Sequence, residues 1–190
     1  SLGREAHRGR SSGLGGSSAM GVTLYKALCK FTDKSFDVKE AVRRVKGVES
    51  RILNQGVAGY QDYFPALVGG VLALKGIEGD ILIEQLYSPE LKKALEENVA
   101  LVYSGQSRAS GINNWEVYKG FFDKRIEVVE GLAAIAKIST DTRQAILKKD
   151  WKKMLELIGL EGEEREKLFP NITTDKIRDL ASALRAQGHA

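Results

Sequence analysis

Cysteine and histidine are nearly missing from this chain, which has one Cys and two His in 190 residues. The lone Cys29 excludes an intrachain disulfide, and within an apolar helical pattern it reads as a buried, unreactive thiol. His7 and His189 stand near opposite ends, so neither a Ser-His-Asp triad nor a His-rich metal cluster finds support. Neither His-Glu-x-x-His nor a paired Cys-x-x-Cys occurs. No apolar run approaches the roughly 20 residues of a membrane span, and the first residues lack a signal-peptide pattern. A reducing, cytoplasmic setting without a membrane partner is expected.

Strong charge bias is lacking too. The formal net charge is +4, mixed along the chain. Arg4, His7, Arg8 and Arg10 form the one local basic cluster, in an arm over residues 1–12 that reads as a solvated tail. Nucleic acid is therefore not an expected partner. With 43% hydrophobic and 28% charged residues, the composition is that of a soluble globular protein. The length suits one ordinary domain or two small ones.

What is present is a glycine-serine loop, Gly13-Leu14-Gly15-Gly16-Ser17-Ser18-Ala19, feeding an apolar run from Met20 to Phe31. Glycines let a backbone approach an anion without Cβ clashes. A helix that starts there points unpaired N–H groups and the positive end of its dipole at the same spot. The dipole contributes about 0.3–1 kcal/mol. Ser17 and Ser18 add hydroxyls for a phosphate oxygen or a magnesium ion. No Lys-Ser or Lys-Thr pair closes the loop, so it is not a Walker A motif.

Helical spacing of Leu24, Ala27, Leu28 and Phe31 predicts a first helix over about 18–31. Asp37 is placed to cap a second helix through Val38, Val42, Val45, Val48 and Ile52. Val68–Leu74 and Asp80–Leu86 read as strands of a hairpin around Gly76 and Gly79. Pro89 opens a short helix, and Val99–Tyr103 reads as a further strand. Beyond Ser107 the pattern is helical. One stripe is Trp115, Phe122, Ile126, Val129, Ala133 and Ala136, and another is Leu147, Trp151, Met154, Leu155 and Ile158. These are read as core. The class is α+β, with helices on a mainly antiparallel sheet followed by a largely helical C-terminal half.

Two further segments can carry chemistry. In Gly59-Tyr60-Gln61-Asp62, a carboxylate just past a sharp turn can accept a proton from a hydroxyl, orient it, or hold a cation; it can equally cap a helix. In Tyr103-Ser104-Gly105-Gln106-Ser107-Arg108, hydroxyls and a guanidinium at the entry to a helix suit a sugar or a second phosphate, and a capped turn would look the same.

The order of these segments resembles the GHMP kinases, the family of galactokinase, homoserine kinase and the mevalonate and phosphomevalonate kinases. Within it, the turn at Gln61-Asp62 and the segment Tyr103–Arg108 are most similar to the heptose 7-phosphate kinases. The resemblance implies transfer of the γ-phosphoryl of ATP to a hydroxyl of a sugar or sugar phosphate, with Mg2+. Mevalonate- or galactose-type chemistry, or an inactive metabolite-binding form, are the alternatives. It implies that Gly13 to Ala19 hold the nucleotide phosphates, that Ser17 and Glu49 hold the metal, and that Asp62 is the catalytic base or orienting group. Gly59, Gln61, Ser107 and Arg108 would meet the substrate.

On the same resemblance, residues 13–105 are part of the family's N-terminal domain and 106–190 part of its C-terminal domain. The family's early Pro-Gly-Arg-type segment and its late glycine-rich motif have no counterpart in these 190 residues. A portion of a kinase, with apolar faces left exposed, is therefore expected.

Overall fold

A computed structural model of the chain describes residues 15–53, 59–102, 111–169 and 172–188. These fall into two compact units that divide between Gly69 and Gly70.

The first unit is helical: α1 (Gly16–Phe31), α2 (Val38–Leu53) and α3 (Tyr63–Val68), with α1 packed on both others. Asp37 caps α2 as expected, its Oδ1 accepting from the Glu40 N–H at 2.8 Å. Helix α1 departs from expectation in its orientation. Met20, Leu24, Leu28 and Phe31 are exposed, Phe31 to 87%, and the buried face is Ser18, Val22 and Cys29. The reason is the contact with α2. Gly21 lies so close to Val45 that a Cβ there would stand 2.6 Å from its Cγ1, so this face is the one against the neighbouring helix. Val68 closes α3 instead of opening a strand. Pro65 sits in that helix's first turn, where its missing N–H costs nothing, and its carbonyl accepts from the Gly69 N–H at 2.8 Å.

The second unit begins with β1 (Leu72–Ile77) and β2 (Asp80–Gln85), an antiparallel hairpin in register from Leu72 opposite Gln85 to Ile77 opposite Asp80. Gly76 lies inside β1, so the turn is Glu78-Gly79, with Gly79 at φ 72°. Next come α4 (Pro89–Asn98), α5 (Gly111–Phe122), α6 (Ile126–Leu147), α7 (Trp151–Leu168) and α8 (Asp175–Ala186). The fold is thus α+β, mostly helical, its sheet among the described residues being this one hairpin.

Residues 99–102 form no strand, and Val99, Leu101 and Val102 are exposed. A strand needs a partner, and within the described residues β1 pairs only with β2.

The core of this unit is Leu91, Ile138, Ala145, Met154 and Leu157, with Val71, Leu95, Ile146, Trp151 and Leu155 packed around it. The second expected stripe is therefore core through Met154, Trp151 and Leu155, while Leu147 and Ile158 are half exposed. The first stripe is not core. Trp115, Phe122 and Ile126 are exposed because the chain turns between α5 and α6. Lys124 adopts φ 56°, and the Arg125 N–H reaches back to the Gly120 carbonyl at 2.9 Å. The turn breaks the phase of the stripe, and Val128 is buried in place of Val129.

Candidate functional site

The first unit gathers most of the residues singled out from sequence. Gly15 precedes α1 in the left-handed region, φ 67° and ψ 25°, a conformation that costs a residue with a Cβ about 1–2 kcal/mol. The first α-helical bond closes between the Ala19 N–H and the Gly15 carbonyl at 3.0 Å. The N–H groups of Gly16, Ser17 and Ser18 therefore have no partner within the helix, and no acid lies in its first turn. Such a terminus suits an anion.

Glu49, on α2, reaches across to this turn. Its Oε1 accepts from the Ser17 hydroxyl at 2.7 Å, and its Oε2 accepts from the Ser18 hydroxyl at 3.0 Å. A third donor is the Tyr63 hydroxyl on α3, 2.5 Å from the same Oε2. Partial burial pushes the Glu49 carboxyl upward. The hydrogen bonds from Tyr63, Ser17 and Ser18 outweigh it and hold the group below its ordinary value. Burial, reinforced by the bond to Glu49, raises the Tyr63 phenol well above its ordinary value. Glu49 is thus a carboxylate and Tyr63 a neutral donor at physiological pH.

Asp62 stands at the N-terminus of α3, yet its side chain makes no capping bond. It lies instead beside Gly15, where a Cβ would stand 2.8 Å from its Cγ. The carboxylate is exposed there. The turn leading to it is held to α2 and α3 by aromatic contacts. The Lys46 ammonium lies 4.2 Å from the Tyr60 ring centroid, and Tyr60 stacks on Phe64 at 6.2 Å. The Gln61 amide folds back onto Gly59.

Gly15 to Ser18, Glu49 and Asp62, residues distant in sequence, are thus brought together, with Gly59 and Gln61 in the adjoining turn. Gly13, Leu14, Ser107 and Arg108 lie outside the described residues. Tyr63 is the site residue to which sequence reasoning assigned no role. Its signal was a phenol next to Asp62 inside an apolar run, since a buried Tyr hydroxyl seeks a partner. Among the described residues, no three His, Cys, Asp or Glu side chains converge as a metal cage.

Residues 8–70 match the family model of the GHMP kinases N terminal domain, which takes in the whole Gly15–Glu49–Asp62 arrangement. Two curated proteins of Arabidopsis thaliana are similar over most of the chain. Glucuronokinase 1 is 25% identical over 171 residues, covering 89% of this chain and 47% of the relative. Probable glucuronokinase 2 is 26% identical over 169 residues, covering 84% of this chain and 44% of the relative. The chain spans a little under half the length of these relatives. Both are sugar kinases by name, and no helix among the described residues is long and apolar enough to cross a membrane.

Proposed function

We propose that this chain carries the phosphate-handling part of an ATP-dependent sugar kinase, the acceptor being a hydroxyl of an anionic sugar. The observation that carries the reading is the Ser17–Glu49 hydrogen bond at the N-terminus of α1, whose own first turn has no acidic residue, with Asp62 beside Gly15. Phosphoryl transfer asks a protein mainly for positioning and charge neutralisation. The loop and the α1 N–H groups would hold nucleotide phosphate. Asp62, exposed and without a capping bond, would orient the acceptor hydroxyl and receive its proton.

The donor set fits magnesium. Mg2+ takes hard oxygens and is usually bound by one or two carboxylates together with phosphates and waters. Ser17 and Glu49 would supply the protein oxygens. When bound, the ion would offset the charge of the transferring phosphoryl group.

The acceptor class joins two likenesses. The similar proteins are named glucuronokinases, for a sugar that bears a carboxylate. The segment Tyr103–Arg108 resembles that of the heptose 7-phosphate kinases, whose sugar bears a phosphate. Arg108 with Ser107 would meet that anionic group in either case. On this reading residues 13–105 and 106–190 are portions of the family's two domains, and 1–12 is a basic arm.

Calorimetric titration of Mg·ATP into the chain tests the reading, with Ser17→Ala as the control. Saturable binding weakened about tenfold or more by the substitution is the expected result. Binding unaffected by Ser17→Ala, or none by a folded sample, would overturn the assignment of the loop. Glucuronate, heptose 7-phosphate and galactose then serve as acceptors, with turnover on galactose alone counting against an anionic sugar.

A further inference from the structure

We infer that Tyr63 is a positioning residue, whose hydroxyl locks the Glu49 carboxylate and so fixes the direction in which the Ser17 hydroxyl points. The inference rests on the reading of Ser17 and Glu49 given above.

The two oxygens of Glu49 are held unequally. Oε2 accepts from two buried donors, Ser18 at 5% exposure and Tyr63 at 1%. Oε1 accepts from Ser17, which is exposed. Pinning Oε2 from two directions prevents the carboxylate from turning about its terminal bond. Oε1 then keeps one direction, and Ser17 must donate its proton along it. With the proton committed to Glu49, the lone pairs of the Ser17 oxygen are left for a cation or a phosphate-bound water. Ser17 is exposed and Glu49 only partly buried, so the pair gains its fixed geometry from the two buried donors to Oε2.

Tyr63 also has the right mounting for the task. Its ring is buried at the start of α3, one residue past Asp62. A displacement of the phenol therefore moves the backbone that presents Asp62. One buried hydroxyl thus keeps the Ser17–Glu49 pair and the Asp62 carboxylate in a fixed relation.

The variant Tyr63→Phe keeps the ring and removes only the hydroxyl. The readout is binding of a fluorescent ATP analogue to the full chain, first in EDTA and then at increasing Mg2+. Expected are unchanged affinity in EDTA and an Mg2+ half-saturation concentration raised roughly tenfold, as suits loss of a hydrogen bond to a charged group. In a Glu49→Gln background, Tyr63→Phe should add nothing, because the lock then has no carboxylate to hold. Wild-type Mg2+ dependence in Tyr63→Phe, or a tighter one, would overturn the inference while leaving the loop assignment intact. Equal weakening with and without Mg2+ would overturn it too, marking Tyr63 as core packing alone. An Mg2+ response in Ser17→Ala identical to wild type would instead remove the reading beneath it. Should Tyr63→Phe fail to fold, Ser18→Ala removes the other donor to Oε2 and must shift the Mg2+ dependence in the same direction; no shift would again overturn the lock.

Discussion

Gly15 and Asp62, 47 positions apart by their residue numbers, stand so close that a Cβ on Gly15 would lie 2.8 Å from the Asp62 Cγ and 2.9 Å from its Cβ. Those atoms are near the backbone and cannot swing aside as a long side chain could. Gly15→Ala therefore meets both a steric conflict and a left-handed φ of 67°. A loss of stability of about 1–2 kcal/mol is expected from the backbone alone. Gly16, one residue on, is helical with open space around it. Gly16→Ala should be neutral or stabilising by up to roughly 1 kcal/mol. Urea unfolding of both variants checks the contrast, and equal effects would contradict the geometry.

In the second unit, Arg143 on α6 grips Glu84 on β2 through two hydrogen bonds, Nε to Oε2 at 2.5 Å and Nη2 to Oε1 at 2.8 Å. Those bonds hold the Glu84 carboxyl below its ordinary value of 4.5. The folded pKa being the lower one, the pair's contribution is complete above the unfolded value and is lost as pH falls through the folded one. The stability gap between wild type and Arg143→Met should be full at neutral pH and should close well below pH 4.5. Chemical denaturation across that range is the measurement, and a gap that stayed constant would contradict the pairing.

Met154 is 1% exposed at the centre of the cluster formed with Leu91, Ile138, Ala145 and Leu157. Met154→Ala should cost about 2–5 kcal/mol, the usual range for emptying a packed site. Trp115→Ala, at a residue 60% exposed, should cost far less. Thermal melts of the two variants separate them.

Two helix N-termini of the same unit should respond in opposite ways. The Ser88 hydroxyl accepts from the Leu91 N–H at 3.1 Å, and Ser88→Ala should cost about 1 kcal/mol. Thr174 holds the corresponding position before α8, but its side chain makes no capping bond and its buried Oγ1 has no partner among the described residues. Thr174→Val removes an unsatisfied hydroxyl at nearly constant volume and should be neutral or slightly stabilising. Calorimetric melting of both variants tests the pair, and a large loss in Thr174→Val would reveal a bond to solvent at that oxygen.

Helix boundaries were legible where a side chain signals them. Asp37, Ser88 and Pro89 each stand where their chemistry requires. The ends without such a signal are those of α5 and α6, each followed by a non-glycine residue in the left-handed region, Lys124 and Lys149. In each, the following N–H bonds back into the last turn, as Asp150 does to the Ala145 carbonyl at 2.9 Å. Glycine advertises such a conformation and lysine does not. The α5–α6 turn thus lies hidden within an unbroken apolar stripe, whose spacing points to a core that Trp115 and Phe122 do not join.

By itself, the sequence determined what is local: the helices α1, α2 and α4, the hairpin, the capping at Asp37 and Ser88, and the glycine-serine run that leads into α1. Local bonds depend on residues a few positions apart, so propensity and spacing encode them. Tertiary structure alone decided which face of α1 is buried, that Asp62 stands at Gly15 instead of capping α3, and that Tyr63 and Ser18 share one oxygen of Glu49. The Ser17–Glu49 and Tyr63–Glu49 bonds span 32 and 14 residues. Such pairs exist only because three helices pack at one angle and depth, which burial of the whole unit fixes and no short pattern records.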